Sequence, residues 1–189
     1  SVVLIGLGLI LLASGCSSYN GFVNMDENVE NAWGKVQSAY QRRADLIPNL
    51  VNTVKGAAAH EKETLEAVVN ARSKATSINI DPSKSTPEQM KAFQEAQSGL
   101  SQSLGKLLLI TENYPQLQAN SNFKELQAQL EGTENRIKVE RDRYNDVVTA
   151  YNKKVRRFPS SFFARVFSFD DRAQFEAQEG SDVAPNVEF

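Results

Sequence analysis

Cysteine and histidine each occur once in these 189 residues, and that scarcity removes whole classes of chemistry. A lone cysteine, Cys16, cannot close a disulfide within the chain. A carboxylate-bridged di-iron bundle needs two Glu-x-x-His motifs on facing helices, and the residue three before His60 is Ala57. His60-Glu61-Lys62-Glu63 also lacks the second histidine of a zinc-protease helix. Cys16 sits in the leader region, so a catalytic Cys–His pair is not expected. His60 is read as a surface residue of a helix. Charge of one sign is lacking too: 21 basic side chains face 23 acidic ones, net −2, so there is no global basic field for nucleic acid. The sequence has no phosphate-cradling glycine loop and no low-complexity tract. Mean hydropathy of −0.41 excludes a multispanning membrane protein. No cofactor and no metal is expected.

One apolar run exists, over residues 2–13. As a helix it would reach roughly 18 Å, short of the ~30 Å hydrocarbon core of a bilayer. Its length suits the apolar part of a signal peptide whose charged leader and initiating Met precede residue 1. Ser14-Gly15-Cys16-Ser17 follows and is similar to a bacterial lipobox, with Ala13 where leucine is commonest. An acylated Cys16 would hold the chain at a membrane surface after cleavage. An uncleaved signal anchor, with Cys16 a bystander, is the other reading. Both place the bulk of the protein outside the cytoplasm.

Beyond residue 16 the pattern is helical. Val29, Trp33, Val36, Tyr40, Arg43, Ile47, Leu50, Val54, Ala57, Glu61, Leu65, Val68 and Arg72 step by threes and fours, as one buried seam does. Pro48 cannot donate to the carbonyl of Ala44, so a break is expected there, with Asp45 as the cap of a new helix. Two helices, near 26–45 and 46–77, follow from that reading. Thr86-Pro87-Glu88-Gln89 carries a cap, a first-turn proline and a glutamine at capping-box spacing. The next seam runs through Met90, Phe93, Gln97, Leu100, Leu104, Leu107 and Thr111. Asn120 opens a last helix, with Phe123, Leu126, Leu130, Thr133, Ile137, Glu140, Tyr144, Val147 and Tyr151 facing inward, stopped by Pro159. Residues 158–189 then hold seven of the ten phenylalanines, beside Arg156, Arg157 and Arg165, and residues 180–189 read as an extended tail. The domain reading is an anchor segment over 1–16, a bundle over 17–158, and an aromatic extension over 159–189.

One stretch departs from helix propensity: Gln41-Arg42-Arg43-Ala44-Asp45-Leu46-Ile47-Pro48-Asn49-Leu50-Val51. With Asn52-Thr53-Val54-Lys55-Gly56 and His60-Glu61 after it, the stretch resembles the signature of the LemA family of bacterial envelope proteins. Glu112-Asn113-Tyr114-Pro115-Gln116-Leu117-Gln118-Ala119-Asn120, Leu130-Glu131-Gly132-Thr133-Glu134-Asn135-Arg136-Ile137, Tyr144-Asn145 and Tyr151-Asn152 extend the resemblance from about Tyr19 to the C-terminus. It implies an all-α, up-and-down four-helix bundle, elongated as the four seams require, and it implies no agreed reaction.

The candidate site is the set of polar residues that interrupt or flank the seams: Arg42, Arg43, Asp45, Asn49, Glu61, Arg72, Glu134, Glu140, Arg141 and Asn145, with Thr133. They form either an ion network that sets helix register or a polar groove for a ligand or peptide. Arg43 is expected to pair with Glu134 or Glu140. Phe162, Phe163, Phe167 and Phe169 are expected to fold back on the bundle or to meet a membrane or another copy, with self-association favoured of those two contacts. The function expected is a membrane-tethered, non-enzymatic envelope scaffold or adaptor. Its partners are membrane lipid, further copies of itself and an envelope protein, with no nucleic acid. A ligand- or peptide-binding sensor is the alternative, and an unrecognised hydrolase a distant third.

Overall fold

Thr86 and Asn120 cap the starts of two helices, and Pro87 and Pro115 stand in the first turns of two. A computed structural model describes the backbone of residues 2–176 and the side chains from Gly15 onward, Cys16 excepted. Among the described residues every regular element is helical: α1 (Val2–Ala57), α2 (Lys62–Ser77), α3 (Pro87–Thr111), α4 (Pro115–Ala119), α5 (Ser121–Arg156) and α6 (Ser160–Val166). The expected acylation site Cys16 and the tail over 180–189 lie outside the described residues. No helix among the described residues is long and apolar enough to cross a membrane.

α3 begins as its sequence requires. The Thr86 hydroxyl accepts from the Gln89 amide, the Gln89 side chain accepts from the Thr86 amide, and Pro87 opens the helix. Asn120 caps α5 by accepting from the amides of Asn122 and Phe123. α5 lies along α1, while α2 packs on both α1 and α3. At 1.5 Å per residue the 36 residues of α5 extend about 54 Å.

The expected break at Asp45 does not occur. α1 continues through Pro48 to Ala57, and the chain turns at residues 58–61, placing exposed His60 in that turn and not on a helix. Long-range chemistry is the reason. Pro48 leaves the Ala44 carbonyl without its helical donor, and the Arg72 side chain of α2 supplies one, Nε to O at 2.7 Å. Asp45 does not cap a helix; it accepts from Gln41 one turn earlier on the exposed face.

Two packed clusters fill the interior. One is aromatic, built from Trp33, Tyr40, Phe93, Tyr144, Tyr151 and Phe175 with Val29, Val36, Ile80 and Met90. The other is aliphatic, built from Ile47, Leu50, Val54, Leu65, Val68, Leu100, Leu104, Leu107 and Leu130, with Phe123. α2 covers the aliphatic half. Over the aromatic half its place is taken by the loop through Ile80 and by an extended strap, residues 169–176. Trp33 Nε1 donates to the Ile80 carbonyl at 3.1 Å, fixing that loop.

The strap is fastened by its own main chain. α6 closes in a Schellman arrangement, with Phe169 N donating to Ala164 O at 2.9 Å and Ser168 in the left-handed region at φ 59°. From there Asn152 and Asn145 on α5, seven residues apart, each grip one strap residue through both amide atoms: Arg172 at 2.8 and 2.9 Å, Phe175 at 2.9 and 3.0 Å. Gln94 of α3 treats Glu176 the same way, at 3.0 and 3.2 Å. Phe175 then buries its ring among Trp33, Phe93 and Tyr144, with the Arg141 guanidinium 4.6 Å from the ring centre.

Candidate functional site

Arg43 is 1% exposed although it carries a full charge, so its partners decide whether the middle of the bundle is a site or a fastening. α1 delivers it inward because it occupies a seam position between Tyr40 and Ile47. One terminal nitrogen donates to Glu134 Oε1 of α5 at 2.7 Å and to Ser101 Oγ of α3 at 2.6 Å. The other donates to the Gln97 side-chain oxygen and, at 3.3 Å, to the Gln97 carbonyl. The amide nitrogen of that Gln97 side chain donates in turn to Ala75 O at the end of α2, at 3.1 Å. Arg43 thus ties α1, α3 and α5 directly and α2 through Gln97. Its Nε finds no acceptor among the described residues.

An open groove of about 720 Å³ runs beside this layer, bordered by Lys91, Gln94, Ser98, Glu134 and Arg141, with Arg43 at its floor. Tyr40 lines it as well. Burial raises the Tyr40 phenol above its ordinary value, while the neighbouring Arg141 and Arg43 charges oppose the shift.

The other seam charges settle elsewhere. Glu140, also 1% exposed, is held between Arg136 at 2.9 Å and Arg143 at 3.2 Å, all three on α5. Glu61, in the turn before α2, accepts from the Tyr114 hydroxyl at 2.8 Å. That bond to a carboxylate holds the Tyr114 phenol above its ordinary value. Arg72 serves Ala44, as above, and Asn145 serves the strap. Arg42 and Asn49 are exposed, and Thr133 turns its hydroxyl back to Gln129 O. The residues expected to form one polar seam therefore divide among five separate tasks. Arg43 and Glu134 meet; Glu61, Arg72 and Glu140 do not join them. Gln97 and Ser101 are the partners that the sequence reading missed. Gln97 did stand on the α3 seam as a polar residue among leucines, and that was its signal.

The phenylalanines also divide. Phe169 stacks on Phe22 with ring centres 5.0 Å apart, and Phe167 meets Tyr19 edge-on at 5.1 Å. A Cβ added at Gly15 would touch the Phe163 ring at 3.6 Å, so that ring packs on α1. Among the aromatic rings of the described residues Phe162 meets only Phe163, and it stays 63% exposed, beside Phe158 at 83% and Val166 at 59%.

Comparison with known proteins converges on one family. Residues 32–189 match the LemA family. The chain is similar to the magnetosome protein MamQ 2 of Paramagnetospirillum magneticum, 26% identical over 182 residues that cover 87% of this chain and 67% of that one. The magnetosome protein MamQ of Magnetospirillum gryphiswaldense matches with the same identity and coverage. Protein LemA of Metamycoplasma hominis is 27% identical over 155 residues, 82% of this chain and 67% of its own length.

Proposed function

This chain belongs to the LemA family, and from that premise we propose that it is a membrane-tethered, non-enzymatic scaffold of the bacterial cell envelope. The observation that carries the reading is the pairing of its inward charges. Arg43 has Glu134, Glu140 has Arg136 and Arg143, and Glu61 has Tyr114. Arg43 with Glu134 holds helices in register, and groups spent in this way leave no nucleophile beside a base among the described residues. Tethering runs through the N-terminal segment, with Cys16 as the acylated residue and the bundle outside the cytoplasm. Copies held on one membrane are concentrated and oriented for lateral contact, and self-assembly follows from that. The similarity to the magnetosome proteins MamQ and to Protein LemA supports the membrane-associated envelope part of this reading.

Crosslinking in intact envelopes, followed by identification of the captured chains, tests the scaffold. Recovery of this chain crosslinked to itself or to a fixed set of envelope proteins is the expected result. Recovery as an uncrosslinked monomer across a range of reagents would overturn it. Intact-mass measurement of membrane-extracted protein tests the tether: residues 1–15 removed and Cys16 acylated is expected, and a retained leader with a free thiol leaves a signal anchor instead.

A second reading, a sensor that takes a peptide or small ligand, rests on the groove lined by Arg43, whose buried Nε has no acceptor among the described residues. Arg43→Lys keeps charge and removes the planar donor set. If the groove is a receptor, that change abolishes ligand-induced stabilisation against heat; if the layer is a fastening, it lowers stability with no ligand involved.

A further inference from the structure

The exposed hydrophobic side chains at one end of the molecule form a surface with a position, a shape and a charge. Phe162 and Val166 lie four apart on one face of α6, and Phe158 extends that face past the start of the helix. All three are more than half exposed. The opposite side of α6 is committed: Ala164 is buried, Phe163 reaches Gly15, and Phe169, just beyond, stacks on Phe22. α6 is thus docked on α1 between Gly15 and Phe22, and its free face looks away from the bundle.

What lies at that level is set by the sequence. Gly15 stands two residues past the apolar run at 2–13, in the same helix, and Cys16, the proposed acylation site, is next to it. Arg157 and Arg165 flank the free phenylalanines, are exposed, and make no ion pair among the described residues. Arg156, by contrast, is held by Asp171 at 2.8 Å. Aromatic rings ringed by free arginines, beside the point where the tether begins, whether an acylated Cys16 or a retained apolar run, match the composition of a membrane–water boundary, where rings sit among headgroups and cations meet lipid phosphates. An acidic face on a second copy would satisfy the arginines equally well. It would not account for the coincidence in level with the tether.

We propose that the Phe158–Phe162–Val166 face of α6 is a membrane-resting foot, which seats on an anionic lipid surface and holds the bundle upright beside its anchor. The proposal rests on the tethered reading above and adds a second contact to it. One anchor alone leaves a rod free to tilt; a second, some residues distant in sequence but adjacent in space, fixes its inclination.

The test uses the full chain carrying Phe162→Trp, incorporated into vesicles of phosphatidylethanolamine and phosphatidylglycerol. Phe162 is exposed, so the substitution leaves the core alone. The native Trp33 is 3% exposed and eighteen residues further along α1, about 27 Å from Gly15. It serves as an internal reference that lipid cannot reach. The added indole should emit at shorter wavelength in vesicles, lose most of its emission to bromine-labelled acyl chains, and resist acrylamide. Adding Arg157→Glu and Arg165→Glu together should at least halve the bromine quenching. Flotation is read on the same samples. If the chain floats with the vesicles while the new indole stays as open to acrylamide as in water, the tether stands and the foot is wrong. If the indole is shielded from acrylamide and bromine alike, and only at high protein-to-lipid ratio, the face binds another copy and the foot is again wrong. A chain that fails to float overturns the tethered reading itself, and the foot with it.

Discussion

The two halves of the core solve the same packing problem with different materials. Beyond Arg43, towards the α1–α2 turn, aliphatic side chains from α1, α2, α3 and α5 interlock and few polar bonds are needed. On the Gly15 side of Arg43, α2 is absent, and a strap without regular structure closes the core over Trp33, Tyr144 and Tyr151. A strap has no internal ladder, so each of its buried amides must find a partner outside itself. Asn145, Asn152 and Gln94 supply those partners two bonds at a time, and Tyr144 adds one to the Ala173 carbonyl at 3.0 Å. A helix can cover a core with leucine alone, whereas an extended segment needs amides placed at its own spacing.

The Arg43 layer separates these halves, and removing it is expected to have the largest effect. Arg43→Ala withdraws a fully buried side chain and leaves Gln97 and Ser101 without their shared donor. A loss of about 3–5 kcal/mol is expected by chemical denaturation, the range seen when one member of a buried charged pair is deleted. Glu134 is part-exposed, so water can take up its freed carboxylate and the loss should fall near the lower figure. A change within about 0.5 kcal/mol, as at ordinary surface positions, would mean that the layer does not bind the halves together.

Alkaline pH should act chiefly on the aromatic half without mutation. Burial pushes both Tyr144 and Tyr151, in the aromatic half, up to about 12. A raised folded value means that the neutral phenol is the form the fold favours. Its contribution is complete below pH 10 and disappears as pH climbs from 10 through 12, on the order of 2 kcal/mol for each tyrosine. Denaturation midpoints measured from pH 8 to 12 should therefore fall only above pH 10. The Tyr151 hydroxyl has no partner among the described residues, so Tyr151→Phe should be nearly silent at pH 8 and should remove part of the alkaline loss. Equal alkaline loss in that variant would place the titrating group elsewhere.

Next in size is the strap itself. Asn145→Ala deletes both bonds to Phe175 and strands two buried backbone groups, for an expected loss of about 1–3 kcal/mol. Amide hydrogen exchange should show the change confined to residues near the strap, with the amides of α2 unaltered. Uniform loss of protection across both halves would show that they unfold as a single unit.

How far these features could be read in the sequence depended on whether their causes were local. Every residue assigned to the α3 seam, from Met90 to Thr111, is buried, and the Thr86 and Asn120 caps stand where their side chains suggested. Periodicity and capping act within a few residues, so they are legible in one dimension. Glu134 as a partner for Arg43 was within reach for a related reason, since both stand on or beside a seam. Asn145 was flagged only as a polar neighbour of the seam, because its partner lies thirty residues away in a segment with no periodicity. Phe169 and Phe175 pack inward and Phe162 does not, a distinction no count of phenylalanines could make.

Pro48 shows the same limit most clearly, and its expected effect is the smallest and most specific. A proline inside a helix costs about 3 kcal/mol or more, through a lost hydrogen bond and a clash with the preceding turn, and on that rule α1 should end there. Arg72, twenty-eight residues from Ala44, restores the missing bond from another helix. Each residue thus makes sense only beside the other, and a double-mutant cycle measures that dependence. Arg72→Ala alone leaves the Ala44 carbonyl without a donor and should cost about 1–2 kcal/mol. Pro48→Ala alone returns an amide hydrogen to that carbonyl and should be neutral or stabilising. In the Pro48→Ala background the cost of Arg72→Ala should then shrink, by a coupling of about 1 kcal/mol, within the range found for residues that share a partner. Strict additivity by urea denaturation would mean that Arg72 contributes through its packing on α1 and not through the carbonyl, and that α1 tolerates its proline by bending alone.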